Sequence, residues 1–164
     1  MSAWLLTWNP TRIGAEEAGL RAACHALHLG EELLVSDWSV GGRRHIAAED
    51  RLYLMRVGVA PLQRGIVAVA EALGPPVARE HWSGEAGRWA WYVPLVWLVC
   101  HPYGAPLVRQ GGLKAAFPGV CFSPQSSGMR LRADEAEFIA VRCGLGSPVS
   151  TAHGPSSPLG EVKP

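Results

Sequence analysis

The sequence has no long apolar segment. Its longest apolar run, Trp89 to Cys100, is interrupted by Pro94 and is shorter than the stretch of about 18–20 residues that a membrane-spanning helix needs. The first apolar run stops at Asn9-Pro10, which does not fit a secretory signal peptide. We therefore expect a cytoplasmic protein with no membrane partner.

Cysteine is scarce and irregularly spaced. The four cysteines are Cys24, Cys100, Cys121 and Cys143. No two of them have the C-x-x-C spacing of a zinc site, so we expect free buried thiols, with a disulfide or a reactive thiol as the alternatives. His25 and His28 stand one helical turn apart without a third ligand nearby in the sequence. We predict neither a metal nor a cofactor.

Lysine is also scarce, since thirteen of the fifteen basic residues are arginine. The formal net charge is +1, so the chain lacks the strongly basic character of many nucleic-acid-binding domains. Guanidinium groups nevertheless suit phosphate contacts and base stacking better than ammonium groups do. With 164 residues, 48% of them hydrophobic, the composition predicts one globular domain with a sizeable core.

Sequence signatures of catalysis are missing. The chain contains no G-x-x-x-x-G-K-[ST] phosphate loop, no G-x-S-x-G nucleophile elbow and no H-E-x-x-H zinc motif. The H-x-E and P-C-x-x-C pair of the zinc deaminases is also absent. We therefore predict that the chain is not an enzyme.

Hydrophobic periodicity and turn residues predict a mixed α+β fold, with a curved sheet or small β-barrel flanked by helices. Strands are expected at 3–8, 51–57, 64–73, 88–100 and 119–122. Helices are expected at 15–29 and 133–143, a short helix or turn at 108–116, and loops at 78–87 and 123–128. Residues 1–144 form the predicted domain, and residues 145–164 a flexible tail or linker rich in Gly, Ser and Pro.

Tryptophan is abundant, with seven residues. Three of them stand beside turn-forming or polar residues, where contact with a ligand is favoured over a place in the core: Trp8, Trp38 and Trp82. Others stand inside apolar segments and are predicted to be core residues: Trp4, Trp91 and Trp97. Indole faces supply stacking area, and nearby amides and hydroxyls can read the edge of a flat ring. We interpret the first group as lining a slot for a nucleobase.

Two polar segments accompany these tryptophans. The loop from Ser123 to Gly128 offers hydroxyls, the Gln125 amide and close approach to the backbone. It can serve as a phosphate and base-edge loop or as an ordinary loop before the last helix. Four arginines near the slot are candidate phosphate contacts, with a solvated surface as the alternative: Arg43, Arg44, Arg130 and Arg132.

Six stretches between residues 3 and 143, taken in order, resemble the EVE domain family. The matching stretches are Trp4-Leu5-Leu6-Thr7-Trp8-Asn9-Pro10, Trp38-Ser39-Val40-Gly41, Asp50-Arg51-Leu52-Tyr53-Leu54-Met55-Arg56, Arg64-Gly65-Ile66-Val67-Ala68, His81-Trp82 and Ser123-Pro124-Gln125-Ser126-Ser127-Gly128. This family belongs to the PUA-like superfamily, which also contains the YTH domains. The chain is most similar to the EVE-type domains that are fused to HNH nucleases in modification-dependent restriction enzymes.

The resemblance implies a PUA-like fold with an aromatic pocket for a base flipped out of duplex DNA, 5-methylcytosine or 5-hydroxymethylcytosine. Trp38 and Trp82 would be the pocket walls, and Ser39 would contact the base edge. The pocket floor or mouth would be formed by Trp8 and Asn9. Its border would be formed by Gln125, Ser126, Ser127 and Gly128.

We thus expect a base-reading module that supplies specificity to a restriction system. The chain has no HNH motif, so a nuclease would be another domain or subunit. One alternative is an RNA-binding reader of a modified nucleotide, related to the EVE and YTH domains. The others are a small-molecule enzyme that uses the aromatic pocket and a protein-interaction domain.

Overall fold

The computed structural model describes residues 1–12, 15–122 and 127–146. Across these residues the chain forms eight strands, three α-helices and one turn of 3₁₀ helix at Pro61–Gln63. The strands are β1 (Ala3–Trp8), β2 (Val35–Ser39), β3 (Arg51–Arg56), β4 (Gly65–Ala72), β5 (Val77–Glu80), β6 (Trp89–Cys100), β7 (Val108–Arg109) and β8 (Met129–Leu131). The α-helices are α1 (Ala15–Leu29), α2 (Gln110–Ala116) and α3 (Ala133–Arg142).

The strands form one mixed sheet in the order β2-β6-β4-β3-β1-β8. β5 pairs with the first part of β6, and β7 pairs with the start of β4. β1 and β3 run parallel, while the other pairs are antiparallel. A parallel pair needs a long crossover, which α1, β2 and the following loop provide.

Alternation along the strands creates one apolar core on each face of the sheet. In β1, Trp4 and Leu6 join the core that contains α1 residues such as Leu20. Leu5 joins the opposite core, which contains α2 and α3 residues such as Ile139. Successive strand side chains point to opposite faces, so a six-residue strand can contribute to both cores. The expected α+β fold with a sheet flanked by helices is confirmed.

A disulfide joins α1 to β6. Cys24 and Cys100 are bonded, with their Cα atoms 5.2 Å apart. The expectation of free thiols is therefore wrong for this pair, because packing α1 against the sheet brings together two residues 76 positions apart in the sequence. The other two cysteines are free, Cys121 exposed and Cys143 buried.

The sheet curves until β2 approaches β1 from across the fold. The indole Nε1 of Trp38 in β2 donates to the carbonyl oxygen of Thr7 in β1, 3.3 Å away. A Cβ atom placed on Gly128, just before β8, would lie 3.0 Å from the carbonyl oxygen of Val40. In the described part of the chain, no strand pairing joins β2 to β1 or β8. We call this junction the seam and define it by Thr7, Trp38, Val40, Arg43, Ser127 and Gly128.

Most long elements have the bounds that the sequence predicts, but several short ones differ. β2 was not among the predicted strands, and β7 begins the segment 108–116, which was predicted as a short helix or turn. Residues 78–80, predicted as loop, belong to β5, whose residues are all exposed and so lack a hydrophobic pattern. Residues 119–122, predicted as a strand, form a turn in which the Val120 amide donates to Phe117. Phe122 enters the core from this turn. β8 was not predicted, because only three residues pair with β1.

Candidate binding site

The polar centre of the seam is Thr7. Its amide donates to the Ser127 hydroxyl at 2.9 Å, and the two hydroxyl oxygens lie 3.1 Å apart. Its carbonyl oxygen accepts from Trp38 Nε1 and from Ser127 Oγ, both at 3.3 Å. The seam thus gathers an indole N–H, two hydroxyls and one peptide group, which together can both donate and accept hydrogen bonds.

Gly128 allows the seam to close. Its φ angle is +89°, and its amide donates to the carbonyl oxygen of Leu5 at 2.9 Å. A Cβ atom at this position would lie 2.9 Å from Arg43 Cβ and 3.0 Å from the carbonyl oxygen of Val40. Both the backbone angle and the space therefore require glycine.

Trp38 is buried in the described conformation. Its side chain is 2% exposed and meets the Trp97 ring edge-on, with the ring centroids 5.7 Å apart. No indole face is open to a ligand while the seam is closed. The neighbouring Ser39 lies opposite Tyr92 in the β2–β6 ladder and is half-buried.

Trp8 and Asn9 lie next to the seam at the end of β1. Trp8 is 5% exposed, and its Nε1 is buried without a hydrogen-bond partner in the described part of the chain. The Asn9 amide oxygen accepts from the backbone and hydroxyl of Thr11, at 3.0 and 2.7 Å. Asn9 therefore stabilises the turn after β1, and its carboxamide packs against Gly58.

Trp82 is not brought to Trp38. Trp38 lies opposite Val93 of β6, whereas the last residue of β5 lies opposite Trp89. Four residues of extended strand separate these positions, which is about 13 Å. Trp82 lies beyond β5 in the turn to β6 and is 41% exposed. Its predicted role as the second pocket wall would require the hairpin to rearrange.

The four predicted phosphate contacts have different surroundings. Arg43 is exposed and packs on Gly128 at the seam, and Arg44 stacks on the Trp91 ring, 4.4 Å from its centroid. Arg130 is exposed on β8, with its guanidinium 3.2 Å from the Ser2 hydroxyl. Arg132 differs because α3 carboxylates occupy it: its guanidinium contacts Asp134 at 3.3 Å and Glu135 at 2.8 Å.

Two predicted pocket residues, Gln125 and Ser126, lie outside the described residues. The same holds for the rest of the predicted loop before Ser127 and for the tail from residue 147. Ser127 and Gly128 are the described residues of this loop that contribute to the seam.

A separate pocket of about 510 Å³ opens beside Trp8, at the carboxyl ends of β1 and β3. Arg56 holds its wall together, since the buried guanidinium donates to the carbonyl oxygens of Gln63, Pro102 and Gly104 at 2.6–2.8 Å. Burial lowers the pKa of Arg56 below its ordinary value. Because three backbone carbonyl oxygens accept hydrogen bonds from it, the buried Arg56 guanidinium links two loops.

Sequence reasoning missed Thr7 and Trp89. Thr7 gives no signal, because its contacts with Ser127 span 120 positions. Trp89 is 65% exposed, although the sequence places it at the start of an apolar strand. Its neighbours Gly87 and Arg88 are the kind of turn and polar residues that singled out Trp82, so this signal was present.

Within residues 1–12, 15–122 and 127–146, no three His, Cys, Asp or Glu residues are grouped in a way that could hold a metal ion. None of the described helices has the length and apolar character needed to cross a membrane.

The fold and the seam define an α+β domain with a curved mixed sheet. Among solved structures, it is similar to a hypothetical protein from Leishmania major, with a TM-score of 0.58 and 14% identity over 88% of this chain and 95% of that one. Protein Atu2648 from Agrobacterium tumefaciens gives a TM-score of 0.58 and 13% identity, covering 90% and 97% of the two chains. Rpa0253 from Rhodopseudomonas palustris gives 0.53 and 16%, covering 93% and 99%.

These similarities establish a shared fold across nearly the whole domain and nothing more specific. No protein-family model and no curated protein matches the chain.

Proposed function

We propose that this chain is a non-catalytic nucleic-acid-binding domain that takes a flipped, modified cytosine of DNA into the seam. It would act as the specificity module of a modification-dependent restriction system, with the nuclease on another domain or subunit. The observation that carries the proposal is the convergence of Trp38, Thr7 and Ser127 where two parts of the sheet meet without strand pairing among the described residues.

The seam must open before a base can enter, because Trp38 is buried while it is closed. In the described residues, the β2 side meets the β1–β8 side through one 3.3 Å hydrogen bond from Trp38 to Thr7 and through the packing of Val40 and Arg43 on Gly128, without strand pairing. The hydrogen bond is worth only about 0.5–1.5 kcal/mol net, because water replaces it on opening. Uncovering the buried Trp38 indole costs about 4–6 kcal/mol more, which the bound base must offset. An entering base would stack on the uncovered Trp38 indole, and the Thr7 and Ser127 groups would contact its edge.

Cationic groups stand where phosphates would follow the base. Arg43 packs directly on Gly128, and Arg44 is its chain neighbour. Arg130 is two residues beyond Gly128, which is about 7 Å along an extended strand. We assign phosphate contacts to these three and leave Arg132 out, since two carboxylates of α3 already neutralise it.

The energies of base flipping and stacking indicate that more than one group must distinguish a modified cytosine from cytosine. Extruding a base costs a few kcal/mol, and stacking returns about 1–3 kcal/mol. A buried methyl group adds about 0.8 kcal/mol, which corresponds to roughly fourfold tighter binding. Strong preference for 5-methylcytosine therefore needs the seam to penalise unmodified cytosine, whereas a hydroxymethyl group can add a hydrogen bond to Ser127 or Thr7.

The test is binding to matched fluorescent duplexes carrying cytosine, 5-methylcytosine or 5-hydroxymethylcytosine at one position, measured by anisotropy at fixed salt. We expect tighter binding to a modified duplex. Ser127→Ala should reduce that preference, because it removes a group at the base edge. Arg43→Ala should weaken binding to all three duplexes and lower the slope of log K against log salt by about 0.9.

The matched control is Arg142→Ala, which removes an exposed arginine from the last turn of α3 and should leave the preference unchanged. Equal affinity of the wild type for the three duplexes would contradict the proposal. A preference seen only with modified RNA would establish the RNA-reading alternative.

A further inference from the structure

The hairpin of β5 and β6 carries aromatic side chains on one face. Trp89 and Trp91 stand two residues apart on β6, and the β5–β6 register runs unbroken from Val77 to Glu80. The side chains of Trp89 and Trp91 therefore point to the same side of the sheet. We call Trp89, Trp91 and the stacked Arg44 the aromatic strip.

The strip runs from the core to solvent. Trp91 is half-buried and packs against the core, and the Arg44 guanidinium lies 4.4 Å from its ring centroid. Trp89 is 65% exposed, because the sheet at this position has narrowed to the two strands of the β5–β6 hairpin. Arg44 belongs to the same loop as Arg43, so the strip is continuous with the seam.

Spacing decides which form of nucleic acid fits the strip. Residues two apart on a strand are separated by about 6.6 Å, whereas stacked bases of a duplex are separated by about 3.4 Å. A base seated on Trp89 and a neighbouring base held at Arg44, above Trp91, must therefore be unstacked from each other. Aromatic side chains with an interleaved arginine are the usual platform for unpaired strands.

We propose that the aromatic strip binds unpaired nucleotides beside the base captured in the seam. This inference rests on the proposed function, and it adds that the preferred substrate is locally melted or single-stranded. One base stacks on Trp89, and the next one or its phosphate reaches Arg44.

Charges around the aromatic strip set the direction in which the bound nucleic-acid strand runs. Glu80 lies directly opposite Trp89 in the ladder, so phosphates are repelled from that end. Arg79 and Arg88 are paired with Asp37 and Glu85, respectively. Arg44 is thus the cation of this surface that stacks on the strip, and phosphates face it.

The test compares a fully paired duplex with one that carries a short unpaired bubble around a 5-methylcytosine. The wild type should bind the bubble more tightly. Trp89→Ala should weaken bubble binding by about 5- to 160-fold, the value of one stacked base, and leave paired-duplex binding as in the wild type. Trp89→Tyr, which keeps a ring, should restore most of the loss.

Val141→Ala, which trims an exposed apolar side chain on α3, is the matched control and should change neither affinity. The two proposals fail separately: Ser127→Ala tests the preference for the modified base, and Trp89→Ala tests the preference for the bubble. Equal bubble binding by Trp89→Ala and the wild type would overturn the inference. A change only in sedimentation, with DNA binding intact, would overturn it in favour of a protein contact.

Discussion

Alkaline pH should destabilise the fold through two buried acids between β3 and α3. The Tyr53 hydroxyl donates to the Ala136 carbonyl oxygen of α3 at 3.2 Å, and Tyr53 is 1% exposed. Burial raises the pKa of Tyr53 from 10.0 to about 12. Burial also raises the pKa of the Cys143 thiol, at the end of α3, from 9.0 to about 11.

The sign follows from comparing the folded and unfolded chains. The unfolded chain releases the Cys143 proton near pH 9 and the Tyr53 proton near pH 10, whereas the folded chain keeps each proton about two units longer. Both contributions to stability are therefore present at neutral pH and are lost as the pH rises through the folded values. At about 1.4 kcal/mol per unit, each group contributes about 2–3 kcal/mol.

The two groups interact, because a Cys143 thiolate is one of the causes that raise the pKa of Tyr53. Their losses are therefore not independent, and the simple sum of about 5 kcal/mol is an upper value for the total between pH 9 and 12. This is a large part of the stability of a domain of this size. Since α3 directly follows β8, its release should also loosen the Gly128 side of the seam.

Urea unfolding followed by circular dichroism at several pH values from 8 to 12 measures the effect. Tyr53→Phe should cost about 1 kcal/mol at pH 8, from the lost hydrogen bond, but should flatten the decline above pH 10. Cys143→Ala should flatten it between pH 9 and 11. Cys121→Ala, which removes an exposed thiol, is the control. If Tyr53→Phe and the wild type lose the same stability between pH 10 and 12, the reasoning is refuted.

Two further predictions concern covalent and backbone constraints. Reducing the Cys24–Cys100 bond should lower the free energy of unfolding by about 2–4 kcal/mol, because it closes a long loop; urea unfolding checks this, and the intact mass before and after reduction counts the bond. Gly58→Ala should cost about 1–3 kcal/mol, since φ is +70° and a Cβ atom would overlap the Asn9 carboxamide. Gly42→Ala, with open space around it, is the control, and equal melting temperatures of the two variants would contradict the argument.

Elements whose ends are marked by turn-forming or helix-ending residues could be predicted from the sequence. β1 has the predicted bounds because the Asn9-Pro10 pair ends an apolar run, and α1 because Gly30 follows its last turn. Gly30 has a φ of +67°, as expected of a glycine that ends a helix. β6 was predicted to within one residue of its start. In each case the residues that predict the element lie inside it or next to it in the sequence.

Elements that depend on distant partners could not be predicted. β5 is polar and exposed, and its pairing with β6 defines it as a strand. β8 has three residues and is recognisable only beside β1. The disulfide depends likewise on the packing of α1 against β6. Such a pair cannot be predicted from the short spacings that are typical of cysteine motifs.

The candidate site was predicted in part, and the tryptophans show why. The sequence argument treated a neighbouring turn as a sign of ligand contact. For Trp38 the turn follows a strand on the inside of a curved sheet, and the ring is buried. Trp97 was predicted to be a core residue and is 1% exposed, as expected for the middle of β6.

Exposure of the tryptophans depends on strand length relative to the neighbouring strands. β6 has twelve residues, of which β4 covers the end near Cys100 and β2 the middle. In the part of the chain that the structure describes, β5 is the one strand paired with its start, so Trp89 is exposed although it begins an apolar strand. At the seam, β2 likewise meets β1 without strand pairing in the described residues. Both proposed contact surfaces therefore lie where strand pairing in the described residues ends. At the seam, the side chains of Trp38 and Ser127 bond to the Thr7 backbone groups that a paired strand would otherwise use.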